Sequence, residues 1–139
     1  MADELVAWSD DYLVGEENID AQHKKLVTIT NEFYVGVRMG GVVAKVYFIR
    51  TVQEAIRYMK THFSTEENIM RKVRYPFFEE HKKQHEEFAA EVARQVRIIE
   101  DEDNPDPAGF VLFLMNWILE HIADSDKKIT PYIDNLGKP

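Results

Sequence analysis

Apolar residues recur along the chain at alternating steps of three and four positions, the spacing that places side chains on one face of an α-helix. The first such stripe begins at Ile19 and ends near Arg38, before the helix-terminating pair Gly40–Gly41. The second runs from Phe48 to Val73 and stops ahead of Pro76, because proline disfavours a helical conformation in the residue before it. Its predicted inward positions are Phe48, Val52, Ala55, Met59, His62, Glu66, Ile69 and Val73. These patterns predict two helices.

The second half of the chain carries two further helical stripes. The third runs from His81 to Ile99 and leads into an acidic, proline-rich segment over residues 101–107. The fourth begins near Pro107, a residue type favoured in a first helical turn, and continues towards Asp134 before Gly137. The predicted inner face of this last helix is formed by Phe110, Phe113, Trp117 and His121.

The order of these elements predicts the fold class. Four amphipathic helices with short connections, and no strand-like alternation, are typical of an antiparallel up-down-up-down four-helix bundle. We therefore predict an all-α fold in a single domain, residues 1–139, with the bundle over residues 19–136. Residues 1–18 lack long periodicity and are predicted to form an N-terminal arm anchored by Trp8 and Tyr12.

Composition narrows the available chemistry. The chain has 139 residues, 45% of them apolar, which is enough for one domain with a buried core. The absence of cysteine excludes disulfides, thiolate metal sites and thiol nucleophiles. With 25 acidic against 17 basic side chains the net charge is -8, which argues against nucleic acid as a partner. Chemistry must then come mainly from five histidines and from carboxylates.

Neither a membrane segment nor an export signal is visible. The most apolar run, Phe110 to Leu119, is too short to span a bilayer. The acidic start Met1–Glu4 lacks the basic and apolar regions of a signal peptide. We therefore expect no membrane insertion and a cytoplasmic location.

All of the histidines fall on the inward-facing stripes, at His23, His62, His81, His85 and His121. A single histidine on a helix face is more often an ordinary core residue than a ligand. Glu66 shares a stripe with His62, however, and a buried carboxylate is costly unless it has a cation or hydrogen-bond donors. In an up-down bundle these side chains fall within a slab roughly 10–15 Å deep at one end, at a rise of ~1.5 Å per residue.

This set of side chains favours a metal centre. His62 and Glu66, like His81 and His85, are four residues apart and project from one helix face. Five imidazoles and a carboxylate exceed the needs of one tetrahedral zinc ion. They suit two six-coordinate first-row metals, with iron or manganese favoured over calcium or magnesium.

The acidic ligand from the last helix is ambiguous. Ideal geometry after His121 selects Asp124, three residues on, over Asp126, five residues on and about 140° away around an ideal helix. Spacing alone leaves both open.

Taken in order, these motifs resemble those of a bacterial member of the hemerythrin family, the non-haem di-iron proteins that bind dioxygen. The resemblance covers nearly the whole chain. It is carried by Trp8, Val14–Gly15, IDAQH at 19–23, HFSTEE at 62–67, HKKQH at 81–85 and WILEHIADSD at 117–126. The expected domain is therefore a single hemerythrin-like one.

The resemblance implies a role for each matching residue. His81, His85 and His121 would hold one iron, whereas His23 and His62 would hold the other and leave one position open for dioxygen. Glu66 and Asp126 would bridge the two irons, with an oxo or hydroxo group as third bridge. This selects Asp126 over Asp124, and it predicts that the last helix deforms locally.

Residues beside the ligands are candidates for the dioxygen pocket. Trp117 and Ile118 lie one turn before His121, and Phe63 follows His62. Each could equally be ordinary bundle core. Glu67, next to Glu66, is expected on a solvated face rather than among the ligands.

The resemblance implies reversible dioxygen binding for carriage, storage or delivery, without enzymatic turnover. One alternative is a di-iron oxidase, although such centres use four glutamates and two Glu-x-x-His pairs. A second is an oxygen or redox sensor acting through a separate protein, whose identity the sequence does not indicate. A structural zinc site would leave two histidines without a role.

Overall fold

The computed structural model describes residues 4–101 and 105–135, which are helical and contain no β-strand in those ranges. The first bundle helix is α1, Glu17–Met39, and the third is α4, Phe78–Glu100. The second is composite, and it consists of α2, Gly41–Tyr58, a π-helical turn, Met59–Phe63, and α3, Ser64–Lys72.

The fourth bundle helix is also composite. It consists of α5, Pro107–Trp117, a π-helical segment, Ile118–Asp126, a 3-10 turn, Lys127–Ile129, and α6, Thr130–Asp134. The all-α four-helix bundle predicted from the sequence is confirmed. Parts of the predicted arm, of the acidic connection and of the C-terminal end (residues 1–3, 102–104 and 136–139) lie outside the described residues.

The helix ends follow local chemistry. The Glu16 side chain accepts a hydrogen bond of 2.7 Å from the Ile19 backbone N–H and thereby caps α1. Gly40 and Gly41 have φ angles of 69° and 56°, a left-handed conformation that turns the chain tightly between α1 and α2. Asp106 caps α5 by accepting a hydrogen bond of 2.9 Å from the Gly109 N–H.

The main apolar core joins all four bundle helices. Phe33, Phe48, Phe88 and Phe110 come one from each, and each is at most 1% exposed. The Phe110 ring centroid lies 5.9 Å from that of Phe33 and 6.0 Å from that of Phe48. Burying one such side chain stabilises the fold by roughly 1.5–3 kcal/mol. A smaller apolar cluster, Met70, Tyr75 and Ile129, closes the opposite end.

The inward faces differ in part from the predicted stripes. Met59 and Ile69 were predicted to face inward but are only half-buried, whereas Tyr58 and Met70 are buried. The π-helical turn Met59–Phe63 explains the error, because it adds a residue to one turn and rotates the buried face. Trp117 and Phe113 are likewise half-buried, and the fully buried residues of α5 and its extension include Leu114 and Ile118.

The N-terminal segment is held against α1 by one asparagine. Asn31 Oδ1 accepts hydrogen bonds of 3.0 and 2.9 Å from the backbone N–H groups of Leu5 and Val6, and its Nδ2 donates to the Val6 carbonyl. Trp8 and Tyr12 contact each other edge to face and are half-buried, whereas Val6 is 4% exposed. Val6 therefore anchors the N-terminal segment as much as Trp8 and Tyr12 do.

One close helix contact generates a prediction. A Cβ atom added at Gly36 in α1 would lie 2.3 Å from Cγ of Tyr47 in α2. We expect Gly36→Ala to lower the free energy of unfolding, because overpacking of about 1–3 kcal/mol exceeds a helix-propensity gain of about 1 kcal/mol. Urea denaturation measures the change.

The matched control is the same substitution in a Tyr47→Gly background, because the Cβ of Tyr47 would also lie only 2.7 Å from the added atom. There the whole obstructing side chain is gone, so Gly36→Ala should be neutral or stabilising. Equal destabilisation in both backgrounds would contradict the contact.

Candidate metal centre

Seven polar side chains meet in the bundle interior, between the two apolar clusters. Each is at most 3% exposed, and together they are His23, His62, Glu66, His81, His85, His121 and Asp126. All five histidines of the chain are in this group. Each of the four bundle helices contributes at least one member, so only the folded bundle assembles the cluster.

The Nε2 atoms of the imidazoles point at the two carboxylates. Asp126 lies 2.9 Å from Nε2 of His23, 2.8 Å from that of His81 and 2.9 Å from that of His121. Glu66 lies 3.1 Å from Nε2 of His62 and 3.0 Å from that of His85. The carboxylates thus form the centre, and the imidazoles surround them.

The ligand atoms divide into two overlapping groups, each of which could hold a metal ion. Five donors form the first group, namely Glu66, His81, His85, His121 and Asp126. Four donors form the second, namely His23, His62, Glu66 and Asp126. Within each group the ligand atoms lie within 4.8 Å of one another. Glu66 and Asp126 are common to both groups.

Several of these atoms fit a metal better than they fit each other. Both oxygens of Asp126, Oε2 of Glu66 and Nε2 of His121 have no partner in hydrogen-bond geometry among the described residues. This holds even though His121 Nε2 and Asp126 Oδ1 are only 2.9 Å apart. Lone pairs that converge on shared points are typical of ligands, and mixed imidazole and carboxylate donors suit first-row transition metals.

A π-helical segment brings Asp126 into the cluster. In an ideal α-helix Asp126 would lie about 140° around the axis from His121. Over Ile118–Asp126 the backbone is π-helical instead, so residues five apart lie close together. The predicted local deformation is confirmed. Asp124 points outward, with a side chain 69% exposed and an ion pair of 3.7 Å to Lys128.

Three side chains outside the cluster hold the imidazole rings in place. Nδ1 of His62 lies 2.8 Å from Oε1 of Gln22, and Nδ1 of His121 lies 2.6 Å from Oε1 of Gln84. Nδ1 of His85 lies 3.0 Å from Oε2 of Glu67. Since these oxygens accept hydrogen bonds, Nδ1 is the protonated nitrogen and Nε2 keeps its lone pair for a metal.

The sequence did not predict these partners. Glu67 was expected on a solvated face rather than among the ligands. It belongs to neither donor group, but its side chain is only 17% exposed and accepts a hydrogen bond from Nδ1 of His85, so the solvated face is wrong. Gln22 and Gln84 immediately precede His23 and His85 in the chain, yet each glutamine contacts a histidine from a different helix. Both glutamines lie inside histidine-containing motifs, IDAQH and HKKQH, and this position was the signal that could have indicated a role at the centre.

Aromatic rings cover the cluster on its core side. Phe63 stacks on His85 with a centroid distance of 3.9 Å, and Trp117 stacks on His121 at 3.9 Å. Ile118 is fully buried. A fourth residue, Tyr58, stacks on His62 at 4.7 Å and was not predicted, since the stripe selected Met59.

Burial and neighbouring charges shift the pKa values in opposite directions. Burial lowers the pKa of His23 and His81, but the close carboxylates of Asp126 and Glu66 outweigh it and raise these pKa values to about 9 and about 10. Burial raises the pKa of Glu66, yet the surrounding histidines, His62 foremost, hold it well below its usual range. Burial and the charge of Glu66 also raise the pKa of Asp126, but His121 and His23 outweigh them and lower it. Both carboxylates are therefore ionised at neutral pH and need positive charge beside them.

A four-helix bundle with a buried histidine and carboxylate centre defines the class as a helical-bundle metal-binding protein. The sequence model of one protein family, the hemerythrin HHE cation binding domain, matches residues 14–133. The chain belongs to the hemerythrin family, and membership implies non-haem iron as the metal.

Relatives and solved structures agree with this assignment. The bacteriohemerythrin of Stenotrophomonas maltophilia is 30% identical over 124 residues, which cover 88% of this chain and 78% of that protein. The bacteriohemerythrin of Pseudomonas aeruginosa strain LESB58 is 32% identical over 122 residues, 87% of this chain and 76% of that protein. A crystal structure of a hemerythrin variant has the same fold, with a TM-score of 0.79 and 21% identity over 94% of this chain and 98% of that one.

None of the helices within residues 4–101 and 105–135 combines the length and apolarity required to cross a bilayer.

The pKa shifts predict a pH dependence for protein prepared without metal. Because folding raises the pKa values of His23 and His81, their protonation stabilises the folded state, and this contribution is complete below about pH 6.5, the pKa of histidine in the unfolded chain. The contribution is lost as the pH rises through about 9 to 10, the pKa values in the folded state. The lowered pKa values of Glu66 and Asp126 give stability that is lost in acid, below about pH 4. The free energy of unfolding in urea should therefore fall, on the order of a few kcal/mol, between pH 6.5 and pH 10.

Iron-loaded protein provides the control. A bound metal needs neutral imidazoles, so loading should remove this alkaline loss and make acid the destabilising direction. The same decrease from pH 6.5 to pH 10 in both preparations would contradict the assignment of these histidines.

Proposed function

We propose that this protein binds dioxygen reversibly at a non-haem di-iron centre and serves in oxygen carriage, storage or delivery. The observation that supports it most is the pair of donor groups, of five and four protein ligands, that share Glu66 and Asp126. When bound, two ferrous ions would supply the two electrons that reversible dioxygen binding draws on.

The two donor groups support one distribution of the ligands. His81, His85 and His121 would hold one iron and His23 and His62 the other, while Glu66 and Asp126 bridge them. The second group offers one protein donor fewer than the first, four against five, so the iron that it would hold is the one with room for dioxygen.

The protein around the centre suits binding more than turnover. Phe63, Trp117 and Ile118 are proposed to line the dioxygen pocket and exclude water. Phe63 and Trp117 stack on imidazoles of the five-donor group, but the Phe63 ring centroid also lies 5.8 Å from that of His62 and 5.9 Å from that of Trp117, so this pair extends towards the four-donor side. Ile118 is fully buried. Gln22, Gln84 and Glu67 fix the rings, so the Nε2 atoms stay available. A set of five imidazoles and two carboxylates is poorer in carboxylate than the centres of di-iron oxidases, which use four glutamates.

Sensing through a partner and a cytoplasmic location remain predictions. Nucleic acid is not a proposed partner, because the net charge is -8.

Dioxygen binding is tested by loading the protein with ferrous iron in the absence of air. We expect about two irons per chain and, on admitting dioxygen, a visible absorption band that disappears under argon and returns with fresh gas. Repeated cycles monitored by absorption give the result. Irreversible bleaching with oxidation of an added substrate would favour an oxidase, and no iron uptake would contradict both functions.

The bridging role of Asp126 is tested by alanine substitution. Asp126→Ala should abolish stable loading with two irons, because a carboxylate shared by both donor groups is lost. Iron content after gel filtration measures the effect. Asp124→Ala, two residues away on the exposed side of the same segment, is the matched control and should load like the wild type. The reverse result would assign the bridge to Asp124.

A further inference from the structure

The hydroxyl of Tyr58 is buried and unsatisfied. The residue is 6% exposed, and its phenolic oxygen has no hydrogen-bond partner within the described part of the chain. Buried polar groups without a partner are destabilising and rare in native proteins. A partner from outside the protein would explain the tyrosine.

The ring of Tyr58 lies over the half of the cluster that has fewer protein donors. It stacks nearly parallel on His62, with centroids 4.7 Å apart and planes inclined by 14°. His62 belongs to the four-donor group, whereas the rings stacked by Phe63 and Trp117 belong to the five-donor group. Tyr58 is thus adjacent to the metal position with room for an exogenous ligand.

The protein around the Tyr58 ring offers no acceptor for its hydroxyl. The ring centroids of Phe63 and Phe88 lie 5.8 and 5.9 Å from that of Tyr58, and these rings are apolar. Nε1 of Trp117 is buried and has no partner in hydrogen-bond geometry among the described residues, but an indole N–H can only donate. The phenolic hydrogen therefore remains available to a ligand.

A route from the surface reaches the same place. A cleft of about 250 Å³ is lined by Tyr58 and His62 at its inner side and by residues such as Lys25 and Arg57 further out. The volume exceeds that of a diatomic or triatomic molecule. The phenolic oxygen itself is buried, so solvent in this cleft does not accept its hydrogen bond.

We propose that the Tyr58 hydroxyl donates a hydrogen bond to the small ligand that binds at the His23–His62 half of the centre. The bond selects small end-on ligands whose outer atom carries a lone pair or negative charge. It rests on the proposed di-iron function, since that ligand would be held by the metal.

The test uses azide, a linear anion whose outer nitrogen accepts hydrogen bonds, with oxidised iron-loaded protein. Tyr58→Phe keeps the ring that stacks on His62 and removes only the donor. We expect azide to bind roughly tenfold more weakly to this variant, the effect of losing one hydrogen bond worth about 1.4 kcal/mol. Titration followed by absorption measures the dissociation constant.

A second readout reports the hydrogen bond itself. In the wild type the infrared stretch of bound azide should shift when H₂O is replaced by D₂O, because the phenolic proton exchanges. In Tyr58→Phe the shift should be smaller or absent. A merely structural effect of the substitution would weaken binding and leave the isotope shift in place.

The matched control is Tyr75→Phe. Tyr75 is 7% exposed and its ring centroid lies 6.3 Å from that of His81, on the five-donor side. This variant should bind azide like the wild type. If it weakens azide as much as Tyr58→Phe does, the effect is not specific to Tyr58 and the proposal is overturned.

The remaining outcomes separate this proposal from the function on which it rests. If Tyr58→Phe loads two irons and shows unchanged azide affinity and isotope shift, Tyr58 is not the donor, and dioxygen binding still stands. If the wild type takes up no iron, both fall. If the Tyr58→Phe variant takes up no iron, the isotope shift is measured in Trp117→Phe instead. A shift that is retained in Trp117→Phe supports the phenol as the donor, whereas a shift that is lost assigns the donor to the indole and overturns the proposal.

Discussion

The arrangement of this bundle depends on two fully buried carboxylates. Glu66 and Asp126 are 0% exposed, and charges at such depth are stable only beside compensating positive charge. Every histidine of the chain directs a ring nitrogen towards them, from all four bundle helices. The same contacts join the four bundle helices and form the donor set for a metal, so stability and function depend on one cluster.

The backbone is adapted to this cluster at two places. Both π-helical stretches, Met59–Phe63 and Ile118–Asp126, carry a histidine of the centre. A π-helical turn has poorer hydrogen-bond geometry than an α-helical one and is found mostly at functional sites. Here it changes the direction of a side chain without breaking the helix, and its effect is most direct at Asp126, which it brings to within 2.9 Å of His121.

The surroundings of the centre are asymmetric. Phe63 and Trp117 stack on imidazoles of the five-donor side, whereas Tyr58 stacks on an imidazole of the four-donor side. An apolar cover excludes water on one side, and an unpaired hydroxyl stands on the other, where a ligand position is left. This asymmetry accompanies the difference in donor number and gives the two halves of the centre different chemistry.

Periodicity alone determined the number of helices, the bundle class and the inward placement of all five histidines, because the residues on the buried face of a helix recur at every third or fourth position. It placed Phe48 and Phe110 in the core, and the resemblance to a known family selected Asp126 and the local deformation. Only the tertiary structure decided that Tyr58 and Met70, not Met59 and Ile69, are buried, and that Glu67, Gln22 and Gln84 bind histidines of other helices. The physical reason is that an extra residue in a helical turn, like a hydrogen bond between helices, is stabilised by contacts distant in sequence and leaves no periodic signal.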